Sequence, residues 1–430
     1  MAKKIKINKD ELQDAVTKVE KKKSKKLKFR FIPNRKKIFQ ISGLIILFFA
    51  VVSGLYLFDN KDSISFLKTY ARVDDSYSLL LSEAQPTDLV SFPPPAQVRD
   101  KENPINGILL TSDEYEVLLK KHPIAMTVNN HESARPQHGL TQADTVLEVL
   151  AEGGITRYVP IFYQNQDVAK IGPIRSLRYY MIEFASGYND AIILHHGWAG
   201  FDNAPWENYT ERTDARGAVW RWGIKNVQTA GSTYRDLEKA NRSGYVHSLY
   251  TGFDLVNPEV ERLASAGNWE LGGDGIEALT FKFDDKLEDR GDFNEVEITF
   301  LSLASNAYKS SFKYDKATNT YLRSIAGKAD IDALNNQQIA PKNVVIEWHN
   351  YQDAQDGHSR LIIDMIAEDK VTILRDGKVI EGTWKKDCRL CRTKYFDAEG
   401  NEIPLNRGQI WIVVAVKVGD REVSNVNFIE

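Results

Sequence analysis

Two arginines three positions apart, Arg175 and Arg178, stand in the segment Lys170–Arg178 (KIGPIRSLR), just after a Gly172-Pro173 turn. Ser176 between them is a natural N-cap for the apolar run that follows. Free backbone N–H groups, the positive end of a helix and two guanidinium groups would then meet at one place, a combination suited to a phosphate or carboxylate. The competing use of these arginines is internal: pairing with carboxylates such as Glu148 or Glu152 would leave no ligand site. Upstream, Asn129–Leu140 (NNHESARPQHGL) offers Asn129, Asn130 and Arg135. Glu152–Arg157 (EGGITR) carries Gly153 and Gly154 at a tight turn, which brings Glu152 and Arg157 onto one rim. Loops that concentrate Arg, Glu, Asn and His serve sites, although a salt-bridged rim has the same composition.

His195 and His196 are adjacent at an expected strand end, so their side chains point to opposite faces and do not chelate one metal. Either one of them, His195 or His196, pairs with His247 as ligand or acid/base groups, or it is a core histidine bonded to backbone. Trp198–Trp222 holds four of the eight tryptophans and reads as irregular. Its rings either stack on a sugar or peptide or pack over the domain edge. The two cysteines, Cys388 and Cys391, form the sequence DCRLCR. A disulfide clip within one hairpin is expected of them, since zinc would need two further ligands. No G-x-S-x-G, P-loop, H-E-x-x-H or G-x-G-x-x-G motif occurs, and no cofactor is expected.

The elements that must position these residues change character along the chain. Ile124–Val128, Thr145–Leu150, Ile155–Tyr163 and Ala191–His195 read as strands, and Ser176–Tyr188 as a helix with Leu177, Tyr180, Met181 and Phe184 on one face. Thr233 and Asp236 resemble a capping box for a helix through Ala240. Residues 102–271 are therefore expected to form an α+β or α/β domain. After Gly272 the pattern is strands and turns: Lys313–Arg323, Val371–Trp384 with Asp376-Gly377 at a hairpin tip, and Trp411–Val416. Residues 272–430 are expected to form a mainly antiparallel β domain.

Charge divides the chain. Residues 1–37 carry 15 Lys or Arg against 4 Asp or Glu, whereas the remainder is acidic. Ile38–Phe58 is uncharged and, as a helix, long enough for a bilayer's hydrocarbon core. Arg35, Lys36 and Lys37 hold its near end in the cytoplasm, so one transmembrane helix and extracytoplasmic domains are expected. The ending Leu55-Tyr56-Leu57-Phe58 lacks the small residues of a cleavage site. The basic tail suits anionic lipid headgroups better than nucleic acid. Residues 59–101, with Pro86 and Pro93–Pro95, read as a stalk.

NNHESARPQHGL, Gln142–Asp144, EGGITR, KIGPIRSLR and His247–Thr251 (HSLYT) together resemble the first domain of the YerB-like lipoprotein family. YDKATNTYLRS, KNVVIEW, LRDGKVIEGTWKK and PLNRGQIWI resemble its second. The resemblance spans Asn103–Val416 and implies a two-domain cell-envelope protein without an assigned reaction. A transmembrane helix stands where the family carries a lipid-acceptor Cys, and Val246-His247-Ser248 replaces the family's Pro-His-Asn.

Two functions of different class follow. One is a binding protein for an anionic cell-wall glycopolymer or an envelope protein, using Arg135, Arg157, Arg175, Arg178 and the Trp-rich loop. The other rests on Asp144-Thr145 and the later Ile174-Arg175, whose order is similar to that of the LytR-CpsA-Psr ligases. That similarity implies a phosphotransferase acting on polyprenyl-pyrophosphate-linked glycopolymer, with an arginine cluster on the pyrophosphate and Asp144 holding Mg²⁺. The second reading requires Asp144, Arg157, Arg175 and Arg178 to converge on one pocket.

Overall fold

The computed structural model describes residues 97–200, 210–228, 230–301 and 306–429. The basic tail, the expected transmembrane helix, nearly all of the stalk and Trp206 lie outside these residues. Among the described residues no helix is long and apolar enough to cross a membrane. Residues Ala96–Glu430 form one compact unit.

Its first half is mixed. Helix α1 (Ser112–Leu119) starts in a capping box built by Thr111 and Glu114. It precedes strands β1 (Ile124–Met126), β2 (Val128–Asn129), β3 (Thr145–Leu150) and β4 (Thr156–Phe162). Helix α2 (Tyr179–Ser186), β5 (Ile192–Leu194), α3 (Ala215–Trp222) and β6 (Asn226–Val227) follow. Then come β7 (Tyr234–Arg235), α4 (Leu237–Ser243), β8 (Leu249–Tyr250) and α5 (Phe253–Gly267). Three expectations change here. Ser176 is not an N-cap, because α2 begins at Tyr179 with Arg178 in the cap position. The Thr233 capping box is not formed: Asp236 itself caps α4, accepting from the Lys239 N–H at 2.9 Å. The Trp-rich segment is partly regular, since α3 runs through Trp220 and Trp222.

The second half is β-rich: β9 (Glu295–Thr299), β10 (Ser310–Asp315), β11 (Thr320–Ile325), β12 (Asn343–Asp353), β13 (Leu361–Ile363), β14 (Glu368–Arg375), β15 (Lys378–Lys385), β16 (Lys394–Phe396), β17 (Ile410–Val418), β18 (Arg421–Glu422) and β19 (Asn425–Ile429). The β14–β15 hairpin turns on Asp376 and Gly377, both at positive φ, as the Asp-Gly signal requires. Cys388 and Cys391 are joined by a disulfide in the β15–β16 connection. The loop they clip docks on the first half, where Arg389 donates to Ser186 Oγ at 2.7 Å and Asp190 Oδ1 at 2.9 Å.

The central sheet has the order β16-β15-β14-β12-β17-β3-β4-β1-β5-β6 and crosses the boundary between the halves. The crossing strand, β17, is parallel to both of its neighbours, Ile410 facing Asn343 on β12 and Thr145 on β3. The C-terminal region is mainly antiparallel, as expected, but β17 is a parallel strand and carries the sheet on into the first half. Hairpin signals in the sequence reveal only antiparallel neighbours, whereas β17 is buried on both faces from Ile410 to Val416, as a central parallel strand must be. Beside this seam Arg323, on β11, donates to both carboxylate oxygens of Glu148, on β3, at 2.9 and 2.8 Å, and both side chains are fully buried. Glu148 thus pairs across the seam and not with Arg175 or Arg178.

Helix α2 is buried almost all round and carries Glu183 on an inward face. Glu183 Oε2 has no hydrogen-bond partner among the described residues, and burial pushes its carboxyl up to about 7. Because the folded value lies above the ordinary 4.5, Glu183 costs stability progressively as pH rises from about 4.5 to about 7. Glu183→Gln is expected to stabilise the protein by ~3 kcal/mol at pH 8 and by nothing measurable at pH 4. Urea melts at the two pH values check this, and equal shifts at both would refute the assignment.

Candidate functional site

Because β3, β1, β5 and β6 all run in one direction with β4 antiparallel between β3 and β1, their carboxyl ends share one edge of the sheet. Open α/β sheets gather ligand-contacting loops at that edge. Glu152 follows β3, Asn129 ends β2, and His195 and His196 follow β5. The loop carrying Arg175 and Ser176 is laced between them: the Arg175 N–H donates to Thr127 O at 2.8 Å, and the His196 N–H donates to Arg175 O at 3.0 Å. Gly172 makes this lacing possible, for its φ is +133° and a Cβ there would stand 2.9 Å from the Ile174 nitrogen.

The expected arginines divide into two kinds. Arg157 and Arg178 converge on Glu152, Arg178 Nη2 at 2.7 Å and Arg157 Nη2 at 3.3 Å from Oε2. Arg157 also donates to Ser176 O at 2.7 Å. Burial pulls the Arg157 guanidinium down to about 9, and the charge of Arg178 adds to this. Burial by itself would raise the Glu152 carboxyl, but the hydrogen bond and charge of Arg178 and the charge of Arg157 hold it below the usual range. This cluster is a salt-bridged rim. Arg175 is the other kind: half-buried, with no ion pair among the described residues. Burial, then neighbouring Arg178, pull its guanidinium down; the charge of Glu152 opposes this and Arg235 adds to it.

Histidines surround it. His247 Nδ1 lies 3.0 Å from Asn129 Nδ2, and its ring stacks on His131 with centroids 4.5 Å apart. The sequence singled out Asn129 and His247, but His131 gave no signal beyond lying in a polar loop. Burial, then the charges of His131 and Arg175, lower His247 from its ordinary value. Burial, then Arg235 and Arg175, do the same to the exposed His196. His195 is the core histidine of the two alternatives. Its Nδ1 bonds Gly197 O at 2.8 Å and burial pushes it down to about 4, so it is neutral near pH 7. Ser176 lies against Gly197, whose absent Cβ would stand 3.2 Å from Ser176 Oγ.

Other expected residues brace the site from behind. Asn130 accepts from Arg135 Nε and Gln137 Nε2, both at 3.1 Å, and donates to Thr156 Oγ1 at 2.7 Å. Arg135 reaches Ala307 O at 2.7 Å and lies over the Tyr308 ring, tying this loop to the second half. Trp198 packs on His195 and Trp222 on Tyr179. Trp220 is exposed.

Asp144 is elsewhere. It precedes β3, whereas Glu152 follows it, and six strand residues separate the two ends by ~20 Å. Its oxygens accept from Asn103, Asn106 and the Tyr163 and Gln164 N–H groups, so it serves as a buried structural carboxylate. The convergence required of a phosphotransferase built on Asp144 is therefore not formed. Among the described residues no group of three acidic, His or Cys side chains could hold a metal ion. A cavity of about 690 Å³ lies at the carboxyl ends of β12 and β17, lined by Tyr351, Gln352, Asp353, Arg421 and, from the Trp-rich loop, Thr210 among others; none of the expected arginines, histidines or asparagines lines it.

Comparison with known proteins agrees with the resemblance. The family model described as "Protein of unknown function (DUF3048) N-terminal domain" matches residues 110–263, and the corresponding C-terminal domain matches residues 297–412. "Putative lipoprotein YerB" of Bacillus subtilis (strain 168) is 30% identical over 341 residues, which cover 77% of this chain and 90% of the relative. A crystal structure of the YerB protein from Bacillus subtilis matches with a TM-score of 0.61 and 25% identity, over 76% of this chain and all of the solved one. With both domains present in order and this identity over three-quarters of its length, the chain belongs to the YerB family.

Proposed function

We propose that this protein is an envelope protein, held in the membrane by residues 38–58 with its folded unit outside the cytoplasm, and that it binds a phosphate- or carboxylate-bearing envelope component at Arg175. The observation that carries the reading is the contrast between neighbours. Arg157 and Arg178 share the carboxylate of Glu152, while Arg175 stands half-buried with no ion pair among the described residues, beside His196 and His247. A guanidinium in that condition gains most from an incoming anion, since burial has already weakened its hydration. A relative named as a lipoprotein and a disulfide at Cys388–Cys391 support the location. Phosphate-bearing components of the envelope, cell-wall glycopolymers and anionic lipids alike, are the ligand class this reading favours.

Titrating residues 96–430 with pyrophosphate by calorimetry tests the site. Arg175→Ala is expected to weaken binding by roughly 10- to 100-fold, the worth of a charge-assisted hydrogen bond. Arg178→Ala should also lower stability, since Glu152 then keeps only the longer contact with Arg157 at 3.3 Å. An anion near His247 raises that group's depressed pKa, so binding should take up protons and tighten as pH falls from about 8 toward 6. Equal affinity of wild type and Arg175→Ala would end this reading.

A further inference from the structure

The excursion β7–α4–Tyr245–His247–β8 carries apolar side chains that its own core does not use. Leu237 is 69%, Tyr245 66%, Val246 48% and Tyr234 39% exposed. All four lie within 13 positions, on a lobe closed at its base by the pairing of β7 with β8. Single exposed apolar residues need no explanation, but four gathered on one small lobe do. The lobe ends in His247, which reaches Asn129 beside Arg175, so the apolar surface and the proposed anion site are parts of one face.

Charge on the lobe is one-sided. Glu238 is paired with Arg242, and Asp236 with Lys170. Among the described residues Arg235 makes no ion pair; it lies 3.8 Å over the Tyr245 ring and adds to the positive field at Arg175 and His196. Uncompensated cations beside exposed aromatic and aliphatic side chains match the boundary layer of a bilayer, where anionic headgroups and the first methylenes meet. The sequence supplies a reason for a bilayer to be within reach: the apolar segment 38–58 is tethered to this unit by residues 59–101.

We infer that the anion taken at Arg175 belongs to a membrane lipid, and that Tyr234, Leu237, Tyr245 and Val246 rest on the acyl boundary while Arg175, Arg235 and His247 hold the headgroup. This rests on the anion site proposed above and narrows its ligand to an anionic amphiphile presented by a membrane. Residues 96–430 are the portion to test, since they carry the whole described core and the relative's solved chain matches three-quarters of this one over its full length.

The experiment is co-sedimentation with phosphatidylcholine vesicles with and without roughly one-third phosphatidylglycerol, beside the pyrophosphate titration. Wild type should bind only the anionic vesicles. Leu237→Ser combined with Val246→Ser should weaken vesicle binding about tenfold or more and leave pyrophosphate affinity unchanged, because both side chains are exposed and outside the anion site. Arg175→Ala should weaken both. Unchanged vesicle binding by the double variant overturns the inference, as does pyrophosphate binding without any vesicle binding; in the latter case the anion site survives and a soluble or protein-borne anion becomes its ligand. Vesicle binding indifferent to Arg175→Ala also overturns it. Binding of neither probe removes the anion site along with the inference.

Discussion

Arg323→Met is expected to destabilise the protein by ~3–5 kcal/mol, because it leaves the Glu148 carboxylate charged in the core with its main partner gone. Arg323 Nη2 donates to both oxygens of Glu148 and to Ser310 Oγ at 2.9 Å, while Nη1 donates to Asp330. The rings of Trp411, Tyr158 and Phe312 enclose the guanidinium, Trp411 at 4.8 Å. Glu148 retains only Thr156 at 3.1 Å, Ser310 at 3.2 Å and Trp411 Nε1 at 3.3 Å, neutral donors that cannot offset a full charge. The pair spans the seam between the halves, so its loss should lower the midpoint of a single transition and not split it in two. Glu148→Gln together with Arg323→Met should recover part of the loss, since it removes the Arg323–Glu148 pair with its desolvation costs but leaves Asp330 buried without its guanidinium. Urea denaturation of wild type and the two variants measures this. A single variant within about 1 kcal/mol of wild type would mean that the pair holds nothing together.

The second large effect is expected at the hairpin tip. Asp376 is fully buried and accepts from Lys282 Nζ at 2.7 Å, Asn319 Nδ2 at 2.7 Å, Asn406 Nδ2 at 2.6 Å and the Asp285 N–H at 3.1 Å. Burial works to raise its carboxyl, but these hydrogen bonds outweigh burial and hold it down at about 2. A depressed carboxyl stabilises the fold above its unfolded value near 3.8 and loses that contribution as pH falls toward 2. Its contribution at pH 7 is about 2 kcal/mol. Asp376→Ala should cost ~3 kcal/mol at pH 7, since it also strands the donors and places a Cβ-bearing residue without local hydrogen bonds at φ +53°. Asp376→Asn should keep the turn and flatten the acid limb of the stability curve between about pH 4 and 2. An acid limb identical to that of wild type would show that the carboxylate is not the titrating group.

Neither residue stood out in the sequence for this reason. Asp376 was legible as half of an Asp-Gly turn, because a local turn needs only two residues of positive φ. That it also organises Lys282, Asn319 and Asn406 depends on contacts up to 94 positions away, which no local pattern encodes. Arg323 is one alternating residue in a β-hairpin, and only the pairing of β17 with β3 brings it over Glu148. For the same reason the parallel setting of β17 was not readable. Its apolar run fits any buried strand, and direction is chosen by the partner.

In the candidate site, local signals reached as far as residue types. The Gly-Pro turn, the clustered arginines and the strand β3 were evident from spacing, as was the disulfide from a lone pair of nearby cysteines. Which arginine is spare was not, since Arg157, Arg175 and Arg178 are chemically identical and differ only in their distance from Glu152. By itself, then, the sequence determined the strands, the turns, the disulfide clip and the family, all of which depend on neighbours in the chain or on motif order. The tertiary structure alone decided the fusion of both halves into one sheet, the burial of Arg323 on Glu148, the removal of Asp144 from the site and the isolation of Arg175. Each of these is a matter of which distant charges meet, and a Coulomb interaction depends on separation in space and on local burial, neither of which spacing along the chain supplies.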